Sequence, residues 1–95
     1  MLQLQIEKSF KKDLNKANKS GLYAKQDFSN LKDIIEKLQN SKIIDSKYKR
    51  HQLKGVLKDF EAVHIKYDWV MIFQTTEKVL TLIMLGAHTQ VYKKF

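Results

Sequence analysis

The stretch that decides the fold runs from Trp69 to Leu85 and reads Trp-Val-Met-Ile-Phe-Gln-Thr, then Thr-Glu-Lys, then Val-Leu-Thr-Leu-Ile-Met-Leu. Its two apolar runs, Trp69 to Thr75 and Val79 to Leu85, have the length and the β-branched and aromatic content that are typical of buried strands. The polar residues Thr76 to Lys78 between them form a tight connection, which only antiparallel strands can use. The stretch therefore predicts a β-hairpin inside a sheet.

Towards the N-terminus, two further segments carry weaker strand signals. Phe60 to Lys66 alternates loosely between apolar and polar residues, which predicts a strand directly ahead of the hairpin. Leu2, Leu4 and Ile6 alternate with polar neighbours and predict a short, half-buried strand at the start of the chain.

Between these strands the apolar period changes to that of a helix. Phe10, Leu14 and Ala17 fall on one helical stripe, Ser9 can cap its start, and Gly21 stands where the helix should stop. After Asp27 a second and wider stripe predicts a second helix, formed by Phe28, Leu31, Ile34, Ile35 and Leu38.

The remaining segments predict connections. Ser41 to Arg50 is polar and lysine-rich without a clear period, which predicts an exposed loop, and Gly55 marks a turn. The order strand, helix, helix, strand, strand, strand predicts an α+β domain that covers residues 1–95. We expect a small, mostly antiparallel four-stranded sheet with the two N-terminal helices packed as a layer on one face.

The chain carries a formal charge of +8, from 18 basic and 10 acidic residues. A surplus of this size attracts phosphate polyanions, acidic proteins or anionic lipid. Arg50 is the only arginine, and lysine binds phosphate as a point charge without the planar fork that reads guanine edges. Contacts to a nucleic-acid backbone are therefore expected to outweigh base reading. The simpler alternative is a lysine-rich surface that only confers solubility.

Several classes of site are excluded or disfavoured by composition. The chain has no cysteine, which rules out disulfides, thiolate metal sites and a cysteine nucleophile. Its three glycines cannot build a glycine-rich phosphate loop, no Gly-x-Ser-x-Gly turn occurs, and no histidine pair has zinc-site spacing. We therefore expect no metal and no cofactor. No segment has the roughly 20 apolar residues that span a bilayer, so we expect no membrane partner and a cytoplasmic location.

The three histidines are His51, His64 and His88, all in the strand-rich half of the chain. Each alone could be an ordinary loop or surface residue. His64 and Asp68 flank a predicted turn, however, and His88 directly follows the last predicted strand, where side chains become exposed. Histidine, with an unperturbed pKa of about 6.5, can both accept and donate protons near neutrality. Cleavage of RNA needs a base for the 2′-hydroxyl, an acid for the departing 5′-oxygen and positive charge around the phosphate, which imidazoles among lysines could supply.

The C-terminal half resembles the YafQ branch of the RelE/ParE toxin superfamily. The residues that carry the resemblance are His51-Gln-Leu-Lys-Gly55, Asp59-Phe-Glu-Ala-Val-His64, Asp68-Trp-Val-Met-Ile-Phe73, Leu85-Gly-Ala-His88 and Tyr92. The resemblance implies the toxin of a type II toxin–antitoxin pair, a ribosome-dependent endonuclease that cuts mRNA in the ribosomal decoding site. It also implies contacts with ribosomal RNA and a cognate antitoxin protein that is acidic where it covers the toxin.

The resemblance further implies roles for individual residues. His51, His64, Asp68 and His88 would form the catalytic acid–base set. His88 would be the general acid, and His64 or Asp68 would serve as the base or orient it. Tyr92 is expected to pack on or stack against an RNA base. The residues that we expect to contact RNA phosphates are Lys54, Lys58 and Lys66.

Two positions depart from the pattern of the branch. Ala62 stands where an acidic residue is usual, and Glu61 beside it, on the opposite face of the strand from His64, replaces a basic residue. Met84 stands where the branch tends to place an arginine that could clamp the phosphate. Three alternatives stay open: a weakened catalytic member, a gyrase inhibitor like the ParE branch, and a plain nucleic-acid-binding module. Three histidines in register argue against a gyrase inhibitor, which needs no acid–base pair.

Overall fold

The computed structural model describes the backbone of residues 1–93, together with the side chains of residues 1–89 and of Val91. It contains five strands and three helices, with single 3₁₀ turns at Ser46–Tyr48 and Gly55–Leu57. In chain order these elements are β1 (Gln3–Ile6), α1 (Lys8–Ser20), α2 (Lys25–Gln39), β2 (His51–Gln52), β3 (Glu61–Lys66), β4 (Trp69–Thr75), β5 (Val79–Gly86) and α3 (His88–Lys93).

The predicted hairpin forms the centre of the sheet. Strands β4 and β5 pair antiparallel, and Thr76 closes their connection, since its side-chain oxygen accepts the backbone N–H of Val79 at 3.0 Å. Strand β3 pairs antiparallel with β4 on the other side, with an irregularity between His64 and Lys66. The three strands that the apolar runs predict are therefore confirmed.

The sheet has five strands in the order β1-β5-β4-β3-β2, so the prediction of four strands is wrong. The additional strand, β2, has two residues and pairs antiparallel with β3 at one edge. Two residues are too short to show a period of alternation, so the sequence alone gives no sign of it. At the opposite edge β1 lies parallel to β5, with Leu4 beside Leu80. As an edge strand, β1 is exposed along its whole length rather than half-buried.

The N-terminal helices form as predicted but begin at different residues. Helix α1 ends at Ser20, and Gly21 takes the left-handed conformation (φ 72°) that favours glycine after a helix. Ser9 does not cap this helix, because Glu7 occupies the capping position and the Ser9 hydroxyl donates to the carbonyl of Ile83. Helix α2 starts at Lys25, so Asp27 lies in its first turn, where its carboxylate accepts the N–H of Ala24.

Each face of the sheet has its own apolar cluster. Helices α1 and α2 cover one face, with Phe10, Ile34 and Leu38 buried against residues such as Met71 and Phe73 of β4. The predicted helical layer on one face is therefore confirmed. The opposite face carries a smaller cluster, formed by Leu53, Ala62, Val70, Ile72 and Val91.

Helix α3 packs on that second face through Val91, and the sequence does not predict it. Six residues are too few for a helical stripe to stand out from the preceding strand. Over the part of the chain that the structure describes, no helix has both the length and the apolar character needed to cross a membrane.

Candidate active site

The three histidines lie in a row on the face of the sheet that α3 covers. The ring centroids of His51 and His64 are 6.1 Å apart, and those of His64 and His88 are 5.8 Å apart. Strand pairing explains the first contact, because His51 lies opposite Ala62, and His64 is two residues further along the same face of β3. The second contact arises because His88 is the first residue of α3, which returns across this face.

Backbone carbonyls orient two of these rings. His51 Nδ1 lies 2.8 Å from the carbonyl oxygen of Lys49, and His64 Nδ1 lies 3.3 Å from that of Tyr67. A carbonyl can only accept, so in each ring Nδ1 carries the hydrogen of this bond. The other nitrogen, Nε2, is left to accept a proton in the neutral ring or to donate one in the charged ring.

Asp68 connects the β3–β4 turn to the start of α3. Its Oδ1 accepts the backbone N–H of His88 at 2.9 Å. This is the position in which an acidic side chain satisfies an unpaired N–H at a helix start. The sequence predicts that this carboxylate lies near an imidazole. The hydrogen bond that the structure gives Asp68 is to the backbone of His88, and a catalytic role for Asp68 stays a prediction.

An aromatic cluster fixes the strand that follows Asp68. Trp69 is buried, Tyr23 stacks on it with ring centroids 4.1 Å apart, and Phe28 meets it edge-on at 5.3 Å. Burial raises the pKa of the Tyr23 hydroxyl above its ordinary value of 10.0, and the negative charge of Asp68 raises it further. The turn that presents Asp68 is therefore anchored in the core on the helix side of the sheet.

The only arginine of the sequence, Arg50, forms an ion pair with Glu61. Arg50 donates to both carboxylate oxygens of Glu61, at 2.8 and 3.1 Å, and its guanidinium lies 5.5 Å from the centre of the Phe73 ring. Glu61 pairs with Phe73, on the opposite face of β3 from His64, as alternation predicts. Arg50 and Glu61 thus form a structural pair on the side of the sheet where the long helices pack.

The two positions that depart from the pattern of the resemblance are both apolar and belong to the second apolar cluster. Ala62 is fully buried, and Met84 packs with Ile83 against the second apolar cluster. Ile83 and Met84 are adjacent in β5, and both contact this cluster because the β4–β5 register shifts between Ile72 and Phe73. Neither Ala62 nor Met84 can supply charge to a bound phosphate.

The predicted phosphate-contacting lysines occupy different surroundings. Lys54 and Lys58 are exposed and flank the 3₁₀ turn at Gly55–Leu57. Lys66 donates to Asp27 Oδ2 at 3.1 Å, which ties β3 to the first turn of α2. The Ala24 N–H bond first, and then Lys66, hold the pKa of Asp27 below its ordinary value. The side chain of Tyr92 lies outside the described residues, and its backbone belongs to α3.

A cavity of about 380 Å³ opens beside His64, between α2 and the end of β3. Its walls include five further residues that matter for its chemistry, namely Asn30, Lys47, Lys49, Lys66 and Tyr67. Apart from Lys66, the sequence predicts no role for them. The sequence signal for this cavity is the lysine-rich segment that directly precedes His51. Because this segment has no clear apolar period, it predicts only a loop.

Within residues 1–89 and Val91, no group of three or more histidine, aspartate or glutamate side chains is arranged to hold a metal ion. The expectation of a metal-free site therefore stays a prediction that experiment must test.

Comparison with known proteins places the chain in a family. Residues 2–93 match the model of the YafQ family, described as the bacterial toxin of a type II toxin–antitoxin system. The chain is 30% identical over 95 residues to the mRNA interferase toxin YafQ of Escherichia coli K12, with 97% of this chain and 99% of the relative covered.

Solved structures agree with this assignment. A copper-bound mutant toxin from Helicobacter pylori superposes with a TM-score of 0.88 at 33% identity, covering 96% of this chain and 99% of that one. The E. coli DinJ–YafQ complex matches with a TM-score of 0.84 at 26% identity, covering 97% and 99%. The chain belongs to the YafQ family of bacterial toxins of type II toxin–antitoxin systems.

Proposed function

We propose that this toxin is a ribosome-dependent mRNA endonuclease that cleaves RNA by acid–base catalysis without a metal. The observation that carries the proposal is the histidine row, in which neighbouring rings lie about 6 Å apart. Two of its rings are held by backbone carbonyls in the form that leaves Nε2 for proton transfer. The similarity to E. coli proteins that are named mRNA interferases supports the same reaction class.

In the proposed reaction, His64 acts as the base and His88 as the acid. His64 removes the proton from a ribose 2′-hydroxyl, and the 2′-oxygen attacks the adjacent phosphorus. The bond from phosphorus to the 5′-oxygen breaks, and His88 donates a proton to that oxygen. The products are a 2′,3′-cyclic phosphate, which water can open to a 3′-phosphate, and a free 5′-hydroxyl. Rings about 6 Å apart can reach, at the same time, the attacking 2′-oxygen and the departing 5′-oxygen on either side of one phosphorus.

The other two members of the predicted set have supporting roles. Asp68 positions His88 through its backbone N–H, which favours His64 over Asp68 as the base. His51, next to His64 on the side away from His88, supplies positive charge near the phosphate when it is protonated. Because Arg50 is bound to Glu61, this charge and that of nearby lysines replace an arginine clamp.

The proposed partners follow from charge and from the relatives. Lys54 and Lys58 are exposed and suit contacts with mRNA in the decoding site or with ribosomal RNA, where a net charge of +8 speeds docking. A cognate antitoxin, acidic where it covers this basic surface, would keep the toxin idle, as suggested by the solved complex of the E. coli relative with DinJ. Action on ribosomes would place the toxin in the cytoplasm.

A weakened or non-catalytic toxin is the second candidate. It is favoured by one observation, the uncharged side chains of Ala62 and Met84 in the apolar cluster on the face of the sheet that carries the histidines. Such a protein would inhibit growth by binding, as a gyrase inhibitor or a nucleic-acid-binding module would. The histidine row would then have no catalytic purpose, which is why we prefer the ribonuclease.

Purified ribosomes programmed with a defined mRNA separate these candidates. The toxin is added with a chelator that removes zinc and copper but spares the magnesium that ribosomes need, and the new 5′ ends are mapped. The ribonuclease predicts cuts in phase with the codons, unchanged by the chelator, and cutting by His88→Ala that is slower by about a hundredfold or more. Equal cutting of the mRNA without ribosomes, or equal cutting by His88→Ala, would overturn the proposal. A DNA-supercoiling assay with gyrase tests the alternative.

A further inference from the structure

The cavity beside His64 is not used by the reaction described above. It lies between Asn30 of α2, the 3₁₀ turn at Ser46–Tyr48 and the end of β3. Its volume of about 380 Å³ falls within the range of roughly 300–1,000 Å³ in which proteins bind small ligands or parts of larger ones. Because His64 forms part of its wall, whatever fills it lies next to the proposed base.

The chemistry of the walls suits a nucleotide. Lys47, Lys49 and Lys66 are among the residues that line it, and the ammonium group of Lys66 is already paired with Asp27. The ammonium group of Lys47 lies 5.1 Å from the centre of the Tyr48 ring. Among the described residues, no carboxylate forms an ion pair with Lys47 or Lys49, so neither has to leave a carboxylate to meet a phosphate oxygen. Tyr67 is 92% exposed, and an exposed aromatic ring between lysines is the arrangement on which single-stranded bases stack.

The backbone links this cavity to the histidine row. Lys49 takes a left-handed conformation with φ 50°, which is unusual for a residue with a side chain. Its carbonyl accepts the Nδ1 hydrogen of His51, and the same residue lines the cavity. In the same way the carbonyl of Tyr67 accepts the Nδ1 hydrogen of His64, and Tyr67 also lines the cavity. Residues that orient two of the imidazoles therefore also form the walls.

We propose that this cavity, here called the lysine pocket (Lys47, Lys49, Lys66 and Tyr67), binds one nucleotide of the substrate mRNA on the 5′ side of the cut. This rests on the proposed ribonuclease function, in which His64 activates the 2′-hydroxyl that precedes the scissile phosphate. Lys47 and Lys49 hold the phosphate of that nucleotide, and Tyr67 stacks on its base. The toxin thus binds mRNA through lysine and tyrosine side chains, without an arginine.

Binding of an uncleavable RNA tests the pocket separately from catalysis. The probe is a fluorescent 2′-O-methyl tetranucleotide, which lacks the attacking hydroxyl, and its Kd is measured at several salt concentrations. The pocket variant carries Lys47→Gln and Lys49→Gln. The matched control carries Lys11→Gln and Lys12→Gln, exposed lysines of α1 that change the net charge equally. A tetranucleotide with an abasic site at each position in turn reports on stacking.

The pocket predicts that the double variant binds about tenfold more weakly at low salt. The slope of log Kd against log salt concentration should fall by about 0.7, since the two lysines hold one phosphate and each single-strand phosphate contact contributes about 0.7. The control should bind like wild type. Tyr67→Ala should also weaken RNA binding about tenfold. An abasic site at one position of the tetranucleotide should weaken binding to wild type by the same factor, and it should not weaken binding to Tyr67→Ala any further.

Equal binding by the pocket variant and its control overturns the pocket, even if ribosomes are cut normally. The peptide hexaglutamate serves as a probe for acidic protein segments. If the pocket variant binds this peptide more weakly than wild type but binds RNA equally well, the pocket is assigned to an acidic protein segment, and the proposal is also overturned. A toxin that never cuts mRNA on ribosomes but loses RNA affinity through these residues would instead refute the ribonuclease and keep the pocket as an RNA site.

Discussion

The Asp68 carboxylate accepts the backbone N–H of His88 at 2.9 Å, although twenty residues separate them in the chain. The bond joins the turn between β3 and β4 to the first residue of α3, and it sets where His88 stands beside His64. We therefore expect Asp68 to act as a positioning residue, whereas the sequence leaves it open as a base.

The role of Asp68 can be tested by comparing two substitutions. Asp68→Asn keeps an oxygen that accepts the His88 N–H, whereas Asp68→Ala removes it. We expect Asn to retain most of the cleavage rate, and Ala to lose about tenfold or more and to destabilise the protein by about 1 kcal/mol, the usual cost of a lost helix cap. Single-turnover cleavage on ribosomes and urea unfolding provide the two measurements. If Asn is as inactive as Ala, the carboxylate itself takes part in proton transfer.

The three histidines should contribute unequally to cleavage. His64→Ala and His88→Ala remove the proposed base and acid, so each should lower the single-turnover rate by about 10²–10⁴-fold. His51→Ala removes only nearby charge and should cost less. Because acid and base act in one step, the double variant should be little worse than either single variant. Circular dichroism controls for folding, and a His51 variant as damaged as the other two would contradict the assignment.

Met84 provides a test by gain of function. Met84→Arg places a guanidinium at the position where the branch tends to have one, so we expect cleavage to rise at least about tenfold, since a single donor to a developing phosphate charge can contribute about 10²–10³. The half-buried position should make the variant somewhat less stable. Met84→Leu is the matched control for packing. A rate that stays at the wild-type level would mean that the histidines and lysines already neutralise the phosphate.

Stability in acid should depend on Asp27. Its pKa is held below the ordinary 3.8 by the Ala24 N–H and by Lys66, so the charged carboxylate stabilises the fold above that value. This contribution is lost as the pH falls from about 4 through the lower pKa of the folded state. In urea unfolding, wild type should therefore exceed Asp27→Asn in stability by a constant amount from pH 5 to 7, and the difference should shrink towards pH 3.

Asp33→Asn is the control for this pH dependence, because Asp33 forms an exposed pair with Lys37 within the same helix. Exposed pairs of this kind contribute little to stability. A difference between wild type and Asp27→Asn that does not change with pH would contradict the role given to the Asp27 charge.

The sequence alone predicted the elements whose signals are local and long enough to read. Apolar runs on either side of Thr76 to Lys78 predicted the hairpin, and the stripe from Phe10 to Ala17 and the stripe from Phe28 to Leu38 predicted the helices. The histidines were identified as candidates because residue type and register are properties of the chain itself. The predicted starts of α1 and α2 were wrong. Serine and aspartate can either cap a helix or lie inside its first turn, and the contacts of Ser9 and Asp27 place both inside.

Only the tertiary structure decided which residues meet. Strand β2 is two residues long and exists because β3 offers it a partner, and α3 is a short helix held by Asp68 and by the packing of Val91. Neither element has a period that a sequence can display, yet together they bring His51 and His88 to His64. The pairing of Arg50 with Glu61 and the lysine pocket depend equally on segments far apart in the chain. The sequence by itself determined the chemistry available to this toxin, and long-range packing determined its geometry, because contacts between distant segments leave no local pattern.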